Sequence, residues 1–175
     1  MSLYIADGVL AQGAETVIYV PTLAVPSTPK LTEIGATATT AINLSNPLRG
    51  FSTGGDQGSS TDVRLSSTQV YQVPNRFAPS LEDLNYVYDP QAATGSATNK
   101  HYETLKNGVK GYLIDRRGVA VATAAAVGQK VDVYPVTFGQ QRRTPIDPGT
   151  EGTKFEITQS VFITGDVIYD AALIA

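Results

Sequence analysis

The only histidine of the chain, His101, is where acid–base or nucleophilic catalysis would have to start. A Ser-His-Asp relay needs it beside an activated serine, yet no serine stands in a Gly-x-Ser-x-Gly context, and Gly58-Ser59-Ser60 is only a superficial approach to one. His101 falls on the polar face of a helical stretch, the place of a surface residue. Glu82-Asp83 sets two carboxylates side by side, but adjacent strand residues point to opposite faces, and the Asp-x-Asp-x-Asp-Gly spacing of a calcium loop is missing. Gly54 to Thr61 is rich in glycine without the lysine a phosphate-cradling loop needs, and no strongly apolar strand leads into it. The chain has no cysteine, so it offers no thiol nucleophile, disulfide framework or usual zinc site. The residues therefore assign no catalytic, metal-ligating or cofactor-binding position, and the expectation is a protein that is not an enzyme and takes no cofactor.

Composition narrows the choice further. At 175 residues the chain is one domain by length, large enough to bury a core without staples. Only 17% of its residues are charged, against roughly 25% in an ordinary soluble domain, which fits a surface largely hidden in subunit contacts. A net charge of −3 argues against gripping nucleic acid, which depends on clustered lysine and arginine. The local basic pairs Arg116-Arg117 and Arg142-Arg143 read as solvated or ion-paired strand ends. Met1 to Asp7 lacks the basic region of a secretory signal, and the alanine-rich stretch Val119 to Val127 is too short to cross a bilayer, so no membrane partner is expected. Nine tyrosines and no tryptophan suit strands or an interface.

The elements that would position these residues are mostly strands. From Lys154 to Thr164, Phe155, Ile157, Val161 and Ile163 alternate with Lys154, Glu156, Thr158, Ser160 and Thr164, the period of a long strand with one buried face. Gly165-Asp166 then has the chemistry of a type II′ turn, so the chain is expected to end in a hairpin with Val167-Ile168-Tyr169. A second alternating run, Ile34, Ala36, Ala38, Thr40, Ile42 and Leu44, predicts a strand from Leu31 to about Leu44. Val17 to Val20 is a short strand stopped by Pro21, and further strands fall at Asp62 to Leu65, Gln69 to Val73, Leu81 to Tyr88, Lys110 to Arg117 and Val131 to Gln141. Pro135, inside the last of these, predicts an edge position or a bulge. The one helix runs from Ala97 or Thr98 to Asn107-Gly108, with Thr98, Tyr102 and Leu105 inward and Lys100, Glu103 and Lys106 outward. Residues 1–14 read as an N-terminal arm, and residues 49–61, with four glycines and only the charge of Asp56 beyond Arg49, as a long mobile loop.

Taken in order, Leu31-Thr32-Glu33-Ile34 with its Thr/Ala-rich continuation, the helix before Gly111-Tyr112-Leu113-Ile114-Asp115-Arg116-Arg117-Gly118, Val133 to Gly139, and Lys154 to Gly165 resemble the major tail tube proteins of long-tailed bacteriophages, especially those infecting actinobacteria. The resemblance covers the chain from about residue 14 onward. It implies a mainly β fold, a β-sandwich or barrel-like subunit with one flanking α-helix, forming a single domain over residues 1–175. Six copies would form a ring whose strands join one ring-wide barrel, and stacked rings would make the conduit for DNA ejection. The family brings no catalytic residues. Its arm and long loop would fall here on Leu3, Tyr4, Ile5, Val9 and Leu10, and on Gly50, Phe51, Gly54, Gly55, Asp56, Gln57 and Gly58 as ring-stacking positions.

Physical reasoning leads the same way. Joining subunit sheets in a closed barrel removes aggregation-prone edges, and glycine-rich segments that order only on contact restrain the free subunit from polymerising. A DNA conduit must not hold DNA, and Glu33, Asp62 and Glu156 are the carboxylates whose alternation with apolar neighbours makes them lumen candidates. The expected partners are other copies of the chain, other tail proteins at the tube ends, and genomic DNA in transit without specific binding. The expected locations are the virion tail and, before assembly, the host cytoplasm. The competing reading is a monomeric β-sandwich binding module or virion decoration protein that recognises a surface or carbohydrate.

Overall fold

The computed structural model describes residues 8–35, 38–146 and 153–175. In chain order its elements are β1 (Glu15–Val20), α1 (Leu31–Ile34), β2 (Ile42–Asn43), β3 (Thr53–Asp62), β4 (Tyr71–Leu81), β5 (Leu84–Val87), α2 (Lys100–Thr104) behind a 3-10 turn at Ala97–Asn99, β6 (Lys110–Arg117), β7 (Lys130–Arg143), β8 (Glu156–Ile163) and β9 (Ile168–Ala172). The protein is mainly β, as expected. One antiparallel sheet runs β2-β1-β6-β7-β8-β5, with β9 also paired to β7, while among the described residues β3 and β4 pair only with each other.

The central strands are buried on both faces, which is why they read as continuous apolar runs rather than alternating ones. Val17 and Tyr19 of β1 join Leu113, Tyr134, Val136 and Phe138 in one core, whereas Ile18 and Val20 join Ile114, Val131 and Val133 in a second. The first core also holds Leu84 and Tyr86 of β5 and Ile157 and Val161 of β8. Side chains from nearly opposite ends of the strand order meet there, so the sheet must curl into an open half-barrel. Its interior is closed by Leu105, just past α2, while α1, Leu23 and Leu173 cover the second core on the outer face.

Four expectations are corrected. Leu31–Ile34 is a single helical turn, and only Ile42–Asn43 of the run to Leu44 is strand. The local reason is Glu33, whose carboxylate accepts the Lys30 and Ala24 N–H groups at 3.0 and 2.8 Å and so caps the turn. Ala36 and Thr37 of that run lie outside the described residues. The stretch expected as a mobile loop at 49–61 is largely β3.

The chain also does not end in a hairpin. β9 pairs with β7 through Lys130↔Ala172 and Val133↔Ile168, along the same edge of β7 that β8 occupies from Val136 to Arg143. β8 and β9 are thus two halves of one line of chain, broken opposite Pro135. That proline pairs with Tyr112 on β6 but has no N–H for its other side, and only its carbonyl is used, accepting Thr164 N–H at 2.9 Å. Gly165 passes so close that a Cβ there would lie 3.1 Å from the Pro135 ring. The glycine serves close approach rather than a turn. Of the alternatives expected for Pro135, the structure shows an interruption inside the sheet and not an edge.

Finally, His101 is buried, not on a wetted face. Its Nε2 donates to the Val87 carbonyl at 2.8 Å and its ring meets Tyr86 edge-on at 5.3 Å. The helix is shorter than expected, Lys100–Thr104, and Thr98, expected on its inner stripe, is exposed in the 3-10 turn before it. Gly108 does adopt the left-handed conformation, φ +82°, expected of the stop.

Candidate assembly surface

The β3–β4 hairpin is held to the body only at its root. Leu81, opposite Thr53, packs against the first core, and Phe51 meets the buried Tyr134 ring edge-on at 5.9 Å. Burial pushes the Tyr134 hydroxyl up to about 12, against a hydrogen bond with Thr53 that acts in the opposite sense. Beyond the root almost every hairpin residue is exposed, including Val73 and Phe77 at about half of their surface. Gly55 permits this geometry, because the Phe77 ring lies where a Cβ on residue 55 would stand.

A bulge controls where the apolar residues face. Val73 pairs with Ser60 and Phe77 with Gln57, so β4 spends one more residue than β3 over this stretch. Since side chains alternate, the extra residue turns Tyr71 and Val73 to the face opposite Phe77 and Leu81. The root thus leans its apolar side on the core while the outer half presents its own to solvent. At the connecting turn, Val63, Leu65 and Val70 are 73%, 111% and 63% exposed. An isolated two-stranded hairpin is marginal in water, and one with exposed apolar residues along its length calls for a covering partner.

The sheet edges differ in the same sense. The outer edge of β5 is covered by the chain at 47–49, where Val87 N–H reaches the Pro47 carbonyl and Arg49 N–H the Asn85 carbonyl. β5 pairs with β8 only from Glu156 to Gln159, so no described strand continues the ladder along Ser160–Ile163, and among the described residues β9 has β7 as its single strand partner. Phe162 and Tyr169 are exposed along this line.

The residues singled out from the sequence are not gathered in one place. Gly54, Gly55, Asp56, Gln57 and Gly58 lie on β3, the Gln57 amide reaching the Asn75 carbonyl, while Gly50 and Phe51 belong to the approach and root. Val9 and Leu10 are exposed, and Leu3, Tyr4 and Ile5 fall outside the described residues. Glu33 caps α1, Asp62 ion-pairs with Arg64 at 2.8 Å and Glu156 with Arg49 at 2.7 Å, at three separate positions. Of the basic pairs, Arg142 meets Asp83 at 2.6 Å and Arg117 lies 2.6 Å from Asp115 and 3.4 Å from Glu15, the ion-paired strand ends expected. Arg116 is instead buried.

Sequence reasoning missed a polar network in the first core. Gln159, fully buried, donates to the Leu105 and Gly139 carbonyls at 2.7 and 2.9 Å and accepts from Tyr86 Oη at 2.9 Å; Gln141 donates to the same oxygen and to the Tyr102 carbonyl. It ties α2 to the sheet. The only signal was Gln159's position in the inward phase of the Phe155 to Ile163 alternation. Among the described residues no group of three or more histidine or acidic side chains is placed to hold a metal ion, and no helix is long and apolar enough to cross a membrane.

Comparison with known proteins follows this architecture. No curated protein matches the chain by sequence. Among solved structures, a chain of the cryo-EM structure of the anti-feeding prophage (AFP) baseplate, 6-fold symmetrised, aligns over 95% of each chain at 7% identity with a TM-score of 0.49, a likeness too slight to rest on. The model of the phage tail tube protein family matches residues 4–175, nearly the whole sequence. The chain therefore belongs to the phage tail tube protein family, a family of structural components of the virion tail.

Proposed function

We propose that six copies of this chain close into a ring, and that rings stack into a tube through which the genome passes on ejection. The observation that carries this reading is the β3–β4 hairpin: long, exposed on both faces and apolar at its tip. Such an arm gains stability by lying on another copy. Gly50, Phe51 and Gly54 to Gly58 are then stacking residues because they form and root this arm, with Leu3, Tyr4, Ile5, Val9 and Leu10 as a second contact. The unpaired line along β8 and β9 supplies an edge for strands of a neighbouring subunit, which would extend the half-barrel into a ring-wide barrel. Other tail proteins would cap the tube ends, with subunits held in the host cytoplasm until assembly.

DNA passes without specific binding because the chain is net acidic and poor in free cationic clusters. Glu33, Asp62 and Glu156 are proposed for the lumen. Asp62 and Glu156 already carry arginine partners and contribute least to repulsion.

Excision of the arm tests the proposal. Thr53 and Leu81 pair directly, so replacing residues 54–80 by Asn-Gly closes a two-residue turn at the root. The expected product is a folded subunit that forms no tubes by electron microscopy. Tubes of normal appearance from this variant would remove the hairpin from the assembly.

A further inference from the structure

The two edges of the β3–β4 hairpin are built differently. Glu82 N–H donates to the Ser52 carbonyl at 3.1 Å, one rung beyond the Thr53↔Leu81 pair, and this fixes the phase of the ladder. In an antiparallel pair, rungs that exchange hydrogen bonds alternate with rungs whose backbone groups point away from the partner. β3 carries no extra residue, so its even-numbered residues from 54 to 62 turn their backbone groups to β4, while Thr53, Gly55, Gln57, Ser59 and Thr61 turn theirs outward. The residues opposite that outward row, Leu81, Pro79, Phe77, Pro74 and Gln72, face the other edge of the hairpin.

The β4 edge is closed to a further strand. Pro79 and Pro74 bring no N–H to it, and the bulge between Phe77 and Pro74 bends it, two devices that keep an edge from pairing. The β3 edge has neither. All five of its outward residues keep both N–H and C=O, residues 54–61 are exposed, and among the described residues no backbone group outside β4 bonds to them. Glycine, serine and threonine predominate on β3, with Asp56 and Asp62 its only charges, and glycine in a strand lets another backbone come close. A hairpin of two strands is marginal in water, and a third strand is what stabilises it. The same chain carries a second unpaired edge on β9, where Tyr169, Asp170 and Ala172 are exposed, so two unlike edges allow copies to join in a propagating series. We propose that the β3 edge receives a strand of a second copy, main chain to main chain, and that the β4 edge stays unpaired. This rests on the assembly reading above and names the side of the arm that makes the contact.

Amide hydrogen exchange of the full chain, read residue by residue in the dispersed and the associated protein with light scattering to give the mass, tests the assignment. On association the amides of Gly55, Gln57, Ser59 and Thr61 are expected to slow about tenfold or more, the worth of one hydrogen bond, while those of Phe77 and Gln72 keep their rates. Thr61→Pro and Gln72→Pro place a proline on the same rung at opposite edges, each where the hairpin does not use the N–H. Thr61→Pro is expected to raise the concentration at half-association about tenfold or more, and Gln72→Pro to leave it within about twofold. Association in which the outward β3 amides still exchange freely, or equal effects of the two prolines, overturns the edge and leaves the tube reading standing. A chain that does not associate at all overturns both.

Discussion

Leu65 stands fully exposed at the end of the β3–β4 hairpin, beside the exposed Val63 and Val70. In a single subunit Leu65→Ser removes no packing, so folding stability is expected to move by no more than about 0.5 kcal/mol. In an assembly that covers the tip, the same change forfeits the burial of a leucine, about 1.5–3 kcal/mol. Since 1.4 kcal/mol is about a factor of ten in an equilibrium constant, the subunit concentration at half-assembly rises roughly 10- to 100-fold. Light scattering and pelleting across a concentration series read that midpoint, and a urea melt of the dispersed subunit supplies the control. Assembly at the wild-type concentration, with the melt also unchanged, would refute burial of the tip. A loss of subunit stability would instead show that the tip packs on its own chain.

Three further outcomes follow from the interior and the hairpin. Gln159→Leu keeps the volume but orphans the Leu105 and Gly139 carbonyls, and leaves Tyr86 Oη with Gln141 alone; a loss of about 2–4 kcal/mol in urea denaturation is expected, against a few tenths for a surface glutamine. Asp115 is buried, and desolvation, opposed by Arg117 and reinforced by Glu15 and Asp132, raises its pKa to about 6. Because the folded state holds this proton more tightly than the unfolded one, stability falls as pH rises from about 4 to 6 and stays lower above it, and Asp115→Asn abolishes that slope and is the more stable protein at pH 8, as thermal melts across pH would show. Gly55→Val drives a side chain into the Phe77 ring, so hydrogen exchange is expected to quicken along β3 and β4 while the body keeps its protection.

The strands that build the body were legible because their patterns are strong. Val17 to Val20, Lys110 to Arg117, Val131 to Gln141 and Lys154 to Thr164 all contain the strands observed, within a few residues at the ends. What misled was local chemistry with two meanings. Glycines at 54, 55 and 58 look like a loop, yet on β3 they make room for Phe77 and a bulge, which becomes visible only once β4 is laid beside them. Gly165-Asp166 has the composition of a turn, but its neighbour in space is Pro135, and no local pattern reveals a partner thirty residues away. Thr/Ala alternation at 34–44 implied a strand, and the capping carboxylate of Glu33 prevailed over it at the start. His101 was misplaced, and the Gln159 network missed, because a buried polar residue is recognised only once its hydrogen-bond partners are known. Residues 49–61, read as a loop, supply most of β3, so the hairpin proposed for assembly was legible neither as a strand nor in its pairing with β4.

The most direct test of the account is the mass and shape of what the purified chain becomes as its concentration rises. Light scattering would fix the smallest species while negative-stain electron microscopy images the largest. The account predicts six-membered rings and hollow tubes growing from the subunit. A chain that stays monomeric at every concentration, even when seeded with native tail tubes, would contradict it.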